Sequence, residues 1–161
     1  MKINGWTILF HPLFNDQWQQ LLNLVKSLRS RLSQEDFGRH PQVKLFKALT
    51  VGVEEKIPND PLASHFALRK PLDKYSRLKK MGLPNRYRLF FKVFPQQKVI
   101  IILWLGFPSK EGDKKDCPKG LVSHSWRYRF AYYRVFAKMV KKGQFPLSLK
   151  DLIDSDNGQE S

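Results

Sequence analysis

Apolar residues recur with two different periods along this chain, and each period predicts one kind of element. The segment Trp6–Phe10 is short, β-branched and aromatic, and a His-Pro pair follows it, which predicts a first strand. Beyond it, apolar residues recur every three or four positions as far as Leu32, with Asn15 or Asp16 as the N-cap. That spacing predicts an amphipathic helix.

A second helical pattern lies between two breaks. Residues 33–41 interrupt the periodicity with Gly38 and Pro41, and residues 59–71 are rich in proline and predict a loop. Between these breaks, apolar residues at helical spacing run over residues 43–57 and predict a second helix.

Three strand-like stretches with short connections predict a meander. Residues 75–80 and 86–94 form a pair of strands around a Gly-Pro-Asn connection at 81–85. Residues 95–97 then lead into residues 98–107, which are apolar on both faces. We expect that last stretch to be the central, most buried strand of an antiparallel sheet.

A final helix is predicted over residues 133–142, with Phe136, Ala137 and Val140 facing inward and Gly143 ending it. The predicted order is an N-terminal strand, two helices, a three-stranded antiparallel meander and a C-terminal helix. This order defines an α+β fold.

Alternation along the strands predicts a cluster of cations. Arg77 and Lys79 share one face of their strand, and Arg86 and Arg88 share one face of the next, because residues two apart point the same way. The apolar set must face the helices, so we expect the four cations on the open face of the sheet. They suit a phosphate group, although a solvated sheet face explains the alternation equally well.

Net charge supports an anionic partner. The 161 residues carry a formal charge of +15, and residues 61–150 alone hold 21 basic and 4 acidic side chains. Such a segment attracts RNA, DNA or the ribosome by counterion release, and we favour that interpretation over a soluble protein that merely has a high pI.

Several classes are excluded or disfavoured. A single cysteine, Cys117, rules out an intrachain disulfide framework and a cysteine-rich zinc site. The longest apolar run, residues 99–107, is too short to span a membrane, and no secretory signal is evident. We expect a cytoplasmic protein without membrane contact.

Catalytic chemistry has few candidate residues. The four histidines are scattered without metal-ligand spacing, and the carboxylates lie mostly outside the basic segment, which argues against two-metal nuclease chemistry. We predict no metal and no cofactor. RNA chemistry would then use Arg, Lys and Tyr, with the substrate 2′-OH as nucleophile, a crowded lysine as base and Tyr87, Trp126 or Tyr128 as surfaces for base stacking.

The sequence resembles the YhaV family of toxins, within the RelE-like superfamily of bacterial toxin–antitoxin systems, from about residue 3 to about residue 153. The motifs that carry the resemblance are Asn4-Gly5-Trp6 with His11-Pro12 and Phe14, Tyr75-Ser76-Arg77-Leu78-Lys79, Arg86-Tyr87-Arg88-Leu89-Phe90-Phe91, and Val135-Phe136-Ala137-Lys138-Met139 with Lys142-Gly143 and Pro146.

The resemblance implies a toxin that is a metal-independent endoribonuclease. It would cleave mRNA, in association with the ribosome, and be silenced by a PrlF-type, AbrB-like antitoxin. The catalytic positions carried over from the family are Arg77, Lys79, Arg86 and Arg88. Further cations expected to contact RNA are Lys74, Lys80, Lys92, Lys110, Arg127 and Arg129.

The chain departs from the family pattern between its third meander strand and its last helix. Residues 118–132 are an apparent basic and aromatic insertion, which we interpret as a tolerated surface loop because long insertions cost little closure entropy. We therefore expect one toxin domain over residues 1–153 and a disordered acidic tail over residues 154–161.

The same sequence features fit two alternatives to an active enzyme. The same basic sheet would also serve a non-catalytic protein that binds RNA or the ribosome. In the other alternative, the chain is a toxin that the 118–132 insertion has inactivated.

Overall fold

A computed structural model describes residues 1–84, 87–106 and 131–149. Arg86, Lys110, Arg127, Arg129, most of the predicted insertion and the predicted acidic tail lie outside the described residues. The chain forms two compact units, Met1–Lys110 and Glu111–Ser161. The predicted single domain over residues 1–153 stays a prediction.

The first unit combines a sheet with helices. Its strands are β1 (Lys2–Ile3), β2 (Trp6–Phe10), β3 (Ser76–Leu78), β4 (Arg88–Phe94) and β5 (Val99–Gly106). Its helical segments are α1 (Pro12–Arg31), α2 (Gln34–Arg39), α3 (Pro41–Val51), a π-helical turn (Gly52–Lys56), α4 (Ile57–Asn59) and a 3₁₀ turn (Ser64–Phe66). The second unit contributes α5 (Ala131–Lys141).

The five strands lie in the order β1-β2-β5-β4-β3, with β5 at the centre. The predicted α+β order and the antiparallel meander β3-β4-β5 are confirmed. The sequence does not predict a partner for the first strand, and in the structure β2 runs parallel to β5, so the sheet is mixed. A parallel neighbour requires a long crossover, and the helices between these two strands provide it.

A short hairpin at the N-terminus was missed. β1 pairs antiparallel with β2 across Asn4 and Gly5, which have φ angles of 53° and 81°. Two central residues with positive φ suit a tight hairpin turn, and Asn-Gly is its strongest sequence signal. The sheet therefore gains a fifth strand at the β2 edge.

The helices pack on one face of the sheet. Their buried contacts include Phe14, Leu21 and Val25 of α1 and Val43 and Leu49 of α3. The strands contribute Trp6, Ile8, Leu78, Leu89, Phe91, Ile100, Ile102 and Leu105 to the same core. The apolar set of β4 that was expected to face the helices therefore does so.

Helix α1 begins earlier than predicted. Its cap is His11, whose Nδ1 accepts a hydrogen bond from the Leu13 N–H at 3.2 Å, and not Asn15 or Asp16. Pro12 occupies the first helical position, where its missing N–H costs nothing. The His-Pro pair that ends the first predicted strand therefore also starts α1.

The predicted second helix is interrupted. Helix α3 ends at Val51, and the π-helical turn follows it. Part of the predicted break at 33–41 forms the short helix α2. The Ser33 hydroxyl caps α2 by accepting a hydrogen bond from the Asp36 N–H at 3.2 Å. This local cap outweighs the low helix propensity of the glycine at position 38.

The C-terminal helix ends where the sequence indicated. Gly143 has a φ of 74°, and the N–H of Gln144 donates to the Met139 carbonyl at 3.1 Å, which closes the helix. Of the predicted inward residues, Phe136 is fully buried, and its ring lies 5.2 Å from that of Phe145. Among the described residues, no helix is long and apolar enough to cross a membrane.

Candidate active site

Strand register places two of the predicted cations on one sheet face. Arg77 of β3 lies directly opposite Phe90 of β4, and Arg88 lies two residues before Phe90 on the same strand. Both arginines therefore point away from the helix-covered core. The predicted association of Arg77 with Arg88 agrees with this register.

Arg77 lies on the edge strand and is half-buried. Its Nη1 donates a hydrogen bond to the backbone carbonyl of His65, in the 3₁₀ turn, at 3.2 Å. A guanidinium has five N–H donors in a rigid fork, and this bond helps to orient the group.

Arg88 is far more enclosed than an open sheet face would allow. Only 8% of it is exposed, and Phe90 beside it is completely buried. Its Nη1 donates to the neighbouring Tyr87 carbonyl at 2.8 Å. The expectation of an open, concave face is therefore wrong at β4, and the Arg88 cation has little solvent around it, which strengthens its attraction to an anion.

Lys92 continues the same face of β4 and is also buried, with 8% exposure. Its Nζ donates to the Lys74 carbonyl at 3.1 Å and lies 4.7 Å from the centre of the Tyr75 ring and 5.5 Å from that of Phe94. Burial, and secondly the charge of Lys74, lower the pKa of Lys92, while burial raises the pKa of Tyr75. These contacts make Lys92 an internal support of the face, and its role as an RNA contact stays a prediction.

The remaining predicted residues are placed as follows. Lys79 comes directly after β3 and is half-buried, whereas Lys74 and Lys80 are exposed. Lys80 has a φ of 58° and begins the turn that leaves β3. Arg86, Lys110, Arg127 and Arg129 lie outside the described residues.

The alternation pattern does not predict one aromatic residue on this face. Trp104 of β5 lies opposite Phe90, and the two rings stack with centroids 5.9 Å apart and planes inclined by 23°. Strict alternation would have placed Trp104 with Ile100 and Ile102 in the helix-covered core. The run from residue 98 to 107 is apolar on both faces, so the sequence offers no signal of the change.

The described part of the chain contains no group of three or more His, Cys, Asp or Glu side chains placed to hold a metal ion. The charged side chains on the described sheet face are Arg77, Arg88 and Lys92. Arginine and lysine side chains hold or attract phosphate.

The α+β fold and its cationic sheet face fit a protein that acts on nucleic acid. Residues 8–157 match the family model of YhaV toxins, described as toxins with endonuclease activity of a toxin–antitoxin system. The chain belongs to this family. It is therefore the toxin of a toxin–antitoxin system, with endonuclease activity and an antitoxin as its partner.

Individual relatives agree with that assignment. The ribonuclease toxin YhaV of Escherichia coli strain K12 is 30% identical over 159 residues, covering 94% of this chain and 92% of that protein. Toxin YhaV of Escherichia coli O6:H1 matches to the same extent. Because the family description includes an enzymatic activity, it does not support the non-catalytic alternative.

Solved structures give weaker matches. A mutant of Escherichia coli RelE in the free state has a TM-score of 0.41 at 13% identity, covering 63% of this chain and 82% of its own. The toxin–antitoxin complex RelBE2 from Mycobacterium tuberculosis has a TM-score of 0.40 at 14% identity, with 63% and 96% covered.

Proposed function

We propose that this toxin cleaves mRNA without a metal ion, using the substrate 2′-OH as nucleophile, and that Arg77 and Arg88 hold the scissile phosphate. The observation that supports this proposal is their shared sheet face, with Arg77 opposite Phe90 and Arg88 two residues along β4. Guanidinium groups bind phosphate in a bidentate way and stabilise the charge that grows on it during attack.

The reaction transfers the phosphoryl group from the 5′-oxygen of one nucleotide to the 2′-oxygen of its neighbour. The 2′-oxygen loses its proton to a base and attacks phosphorus, the bond from phosphorus to the 5′-oxygen breaks, and that oxygen takes up a proton. The products are a 2′,3′-cyclic phosphate and a 5′-hydroxyl end. Alignment of the internal nucleophile supplies much of the acceleration.

Lys79 is the candidate base and Arg86 the third phosphate ligand in this scheme. Lys79 directly follows the last residue of β3, two positions beyond Arg77, so it belongs to the same end of the strand. A lysine acts as a base in its neutral amine form.

Inducible expression tests the assignment. Arg77→Ala and Arg88→Ala should each relieve growth arrest, whereas Arg39→Ala should not, because Arg39 is an exposed residue of α2 paired with Glu35 at 2.7 Å. If both site variants arrest growth as strongly as the parent while accumulating equally, the assignment fails.

Purified protein tests the chemistry. Incubation with mRNA should produce 5′-hydroxyl ends in the presence of a chelator, and comparison with and without translating ribosomes measures the proposed ribosome association. Loss of cleavage on chelation, with activity restored by added divalent metal, would refute the metal-independent mechanism.

We further propose that the partner is a PrlF-type, AbrB-like antitoxin, that mRNA is engaged on the ribosome and that the toxin acts in the cytoplasm. The family description supports a toxin–antitoxin pairing. Co-expression of the neighbouring reading frame should suppress the growth arrest and co-purify with the toxin. A neighbouring gene product that does neither would contradict the antitoxin assignment.

A further inference from the structure

A closed loop carries basic side chains at the edge of the sheet. Ala67 pairs with Ser76, the first residue of β3, in an antiparallel bridge, so residues 67–76 begin and end at the same place. Two successive turns lie inside this segment, each closed by a backbone hydrogen bond, at 2.9 and 3.0 Å. Compact loops whose ends are close together are frequently functional. We call residues 67–76 the basic loop.

Buried side chains anchor the basic loop. Leu68 and Tyr75, next to its two ends, are 8% and 3% exposed. The Nζ of the buried Lys92 donates to the Lys74 carbonyl at 3.1 Å and lies 4.7 Å from the centre of the Tyr75 ring. The backbone at Lys74 is therefore held to β4, and a ligand bound there meets a surface that is already ordered.

The charged side chains of the basic loop are exposed. They are those of Arg69, Lys70 and Lys74, with Asp73 as the acidic residue of the loop. Within the part of the chain that the structure describes, neither Lys70 nor Lys74 forms an ion pair. Their ammonium groups are therefore accessible to an anion from outside.

The contact between Lys92 and the loop brings two positive charges together. Burial, and secondly the charge of Lys74, lower the pKa of Lys92. Two like charges held near each other repel, and an anion bound at Lys74 would offset that repulsion. The electrostatics of the basic loop thus favour an anionic ligand.

The basic loop leads directly into the strand that carries Arg77. Lys74 precedes Arg77 by three positions, and a fully extended chain spans at most about 3.6 Å per residue. The two Cα atoms are therefore at most about 11 Å apart. An RNA strand that continues from a phosphate held at Arg77 comes within reach of the Lys74 side chain.

We propose that the basic loop binds backbone phosphates of the RNA strand beyond the scissile phosphate, through Lys70 and Lys74. This inference rests on the proposed function and deepens it, because it names the surface that holds the substrate outside the cleavage point. Lys74 belongs to the cations expected to contact RNA, whereas Lys70 does not. Lysine binds phosphate as a point charge, so the contact is independent of base sequence.

A series of RNA lengths tests the contact. A 2′-deoxy sugar at the cleavage point prevents reaction; one RNA is a trinucleotide around this point, and two longer RNAs extend it on the 5′ or the 3′ side. Each phosphate contact contributes about 0.7 to the slope of log affinity against log salt concentration for a single strand. Lys70→Gln/Lys74→Gln should therefore reduce the slope by about 1.4 for one of the extended RNAs and leave it unchanged for the trinucleotide.

Lys44→Gln/Lys47→Gln is the matched control. Both lysines are exposed on α3, outside the basic loop, and their replacement changes the net charge by the same amount. This variant should keep the parental slope for every RNA. Urea denaturation should give the parent and both double variants the same free energy of unfolding, because the replaced side chains are on the surface.

The outcomes separate the loop contact from the cleavage mechanism. If Lys70→Gln/Lys74→Gln keeps the parental slope for both extended RNAs, the inference is wrong even if cleavage proceeds as proposed. If the slope falls as expected but cleavable RNA yields no 5′-hydroxyl ends, the loop contact stands and the cleavage mechanism fails.

Two further results would overturn the inference. An equal reduction of the slope for the trinucleotide would place the contact at the cleavage point itself. Parental RNA binding, together with weaker co-purification of the neighbouring gene product, would assign the basic loop to the antitoxin.

Discussion

Gln17 forms two hydrogen bonds with the backbone of Leu105, one through each end of its side-chain amide. The residues are 88 positions apart, and the contact joins α1 to the end of the central strand. Both backbone groups of Leu105 are thereby satisfied where β2 no longer reaches them. A single side chain thus completes the sheet beside the proposed substrate face.

We expect Gln17→Met to destabilise the protein by about 2 kcal/mol, because the variant keeps the side-chain length but leaves two backbone groups without their partner. Urea denaturation measures the loss. Gln20→Met is the matched control, since Gln20 is exposed on the same helix. Equal stability of the two variants would show that the contact is energetically unimportant.

The buried Lys92 should make the free energy of unfolding depend on pH in the alkaline range. Burial lowers the pKa of its ammonium in the folded state, so the unfolded chain binds more protons between that lowered value and the ordinary lysine value of about 10.4. Within this window the free energy of unfolding contributed by Lys92 rises with pH. Lys92→Met lacks this contribution, so the parent should gain stability relative to the variant as pH increases towards 10.

Urea denaturation at several pH values between 7 and 10 compares the two proteins. Tyr75 has the opposite effect, because its raised pKa lowers stability only at pH above its ordinary value of 10.0, which lies outside this range. A stability difference independent of pH would contradict the lowered pKa of Lys92.

Gly52 should be intolerant of a side chain. A Cβ atom there would lie 2.6 Å from Cδ2 of Leu78, which is 1% exposed and precedes Lys79 in the chain. Gly52→Ala should therefore destabilise the protein by about 1–3 kcal/mol through overpacking, and Leu78→Val in the same chain should recover part of the loss.

Gly38 provides the control for Gly52. It lies in helix α2, and an added Cβ would meet nothing within 4 Å. Gly38→Ala should raise the free energy of unfolding by about 0.4–1 kcal/mol, because alanine restricts the unfolded chain and favours helix. Similar losses in both variants would show that the Leu78 contact is not the cause.

Salt dependence tests whether Arg77 contacts phosphate. For single-stranded RNA each phosphate contact contributes about 0.7 to the slope of log affinity against log salt concentration. Arg77→Ala should reduce the slope by about that amount, whereas Arg39→Ala should leave it unchanged. An unaltered slope for Arg77→Ala would exclude a direct phosphate contact.

Local pattern predicted much of the fold. Alternation over β3 and β4 placed Arg77 and Arg88 correctly because neither strand is interrupted there. It failed at Trp104, since one extra residue at Leu103 reverses the faces of β5, and an apolar run conceals such a reversal. It also failed to predict the parallel β2–β5 pair and the enclosure of Arg88, both of which depend on contacts distant in sequence.

The parallel pairing of β2 with β5 has a consequence during synthesis. Thr7 pairs with Val99, so β2 acquires its parallel neighbour only after nearly one hundred residues have been translated. Contacts of such long sequence separation form late because their loop-closure entropy must be overcome first. A growing chain that ends before β5 lacks the centre of its sheet, so the strand order around the proposed site is complete only once residue 106 has been translated.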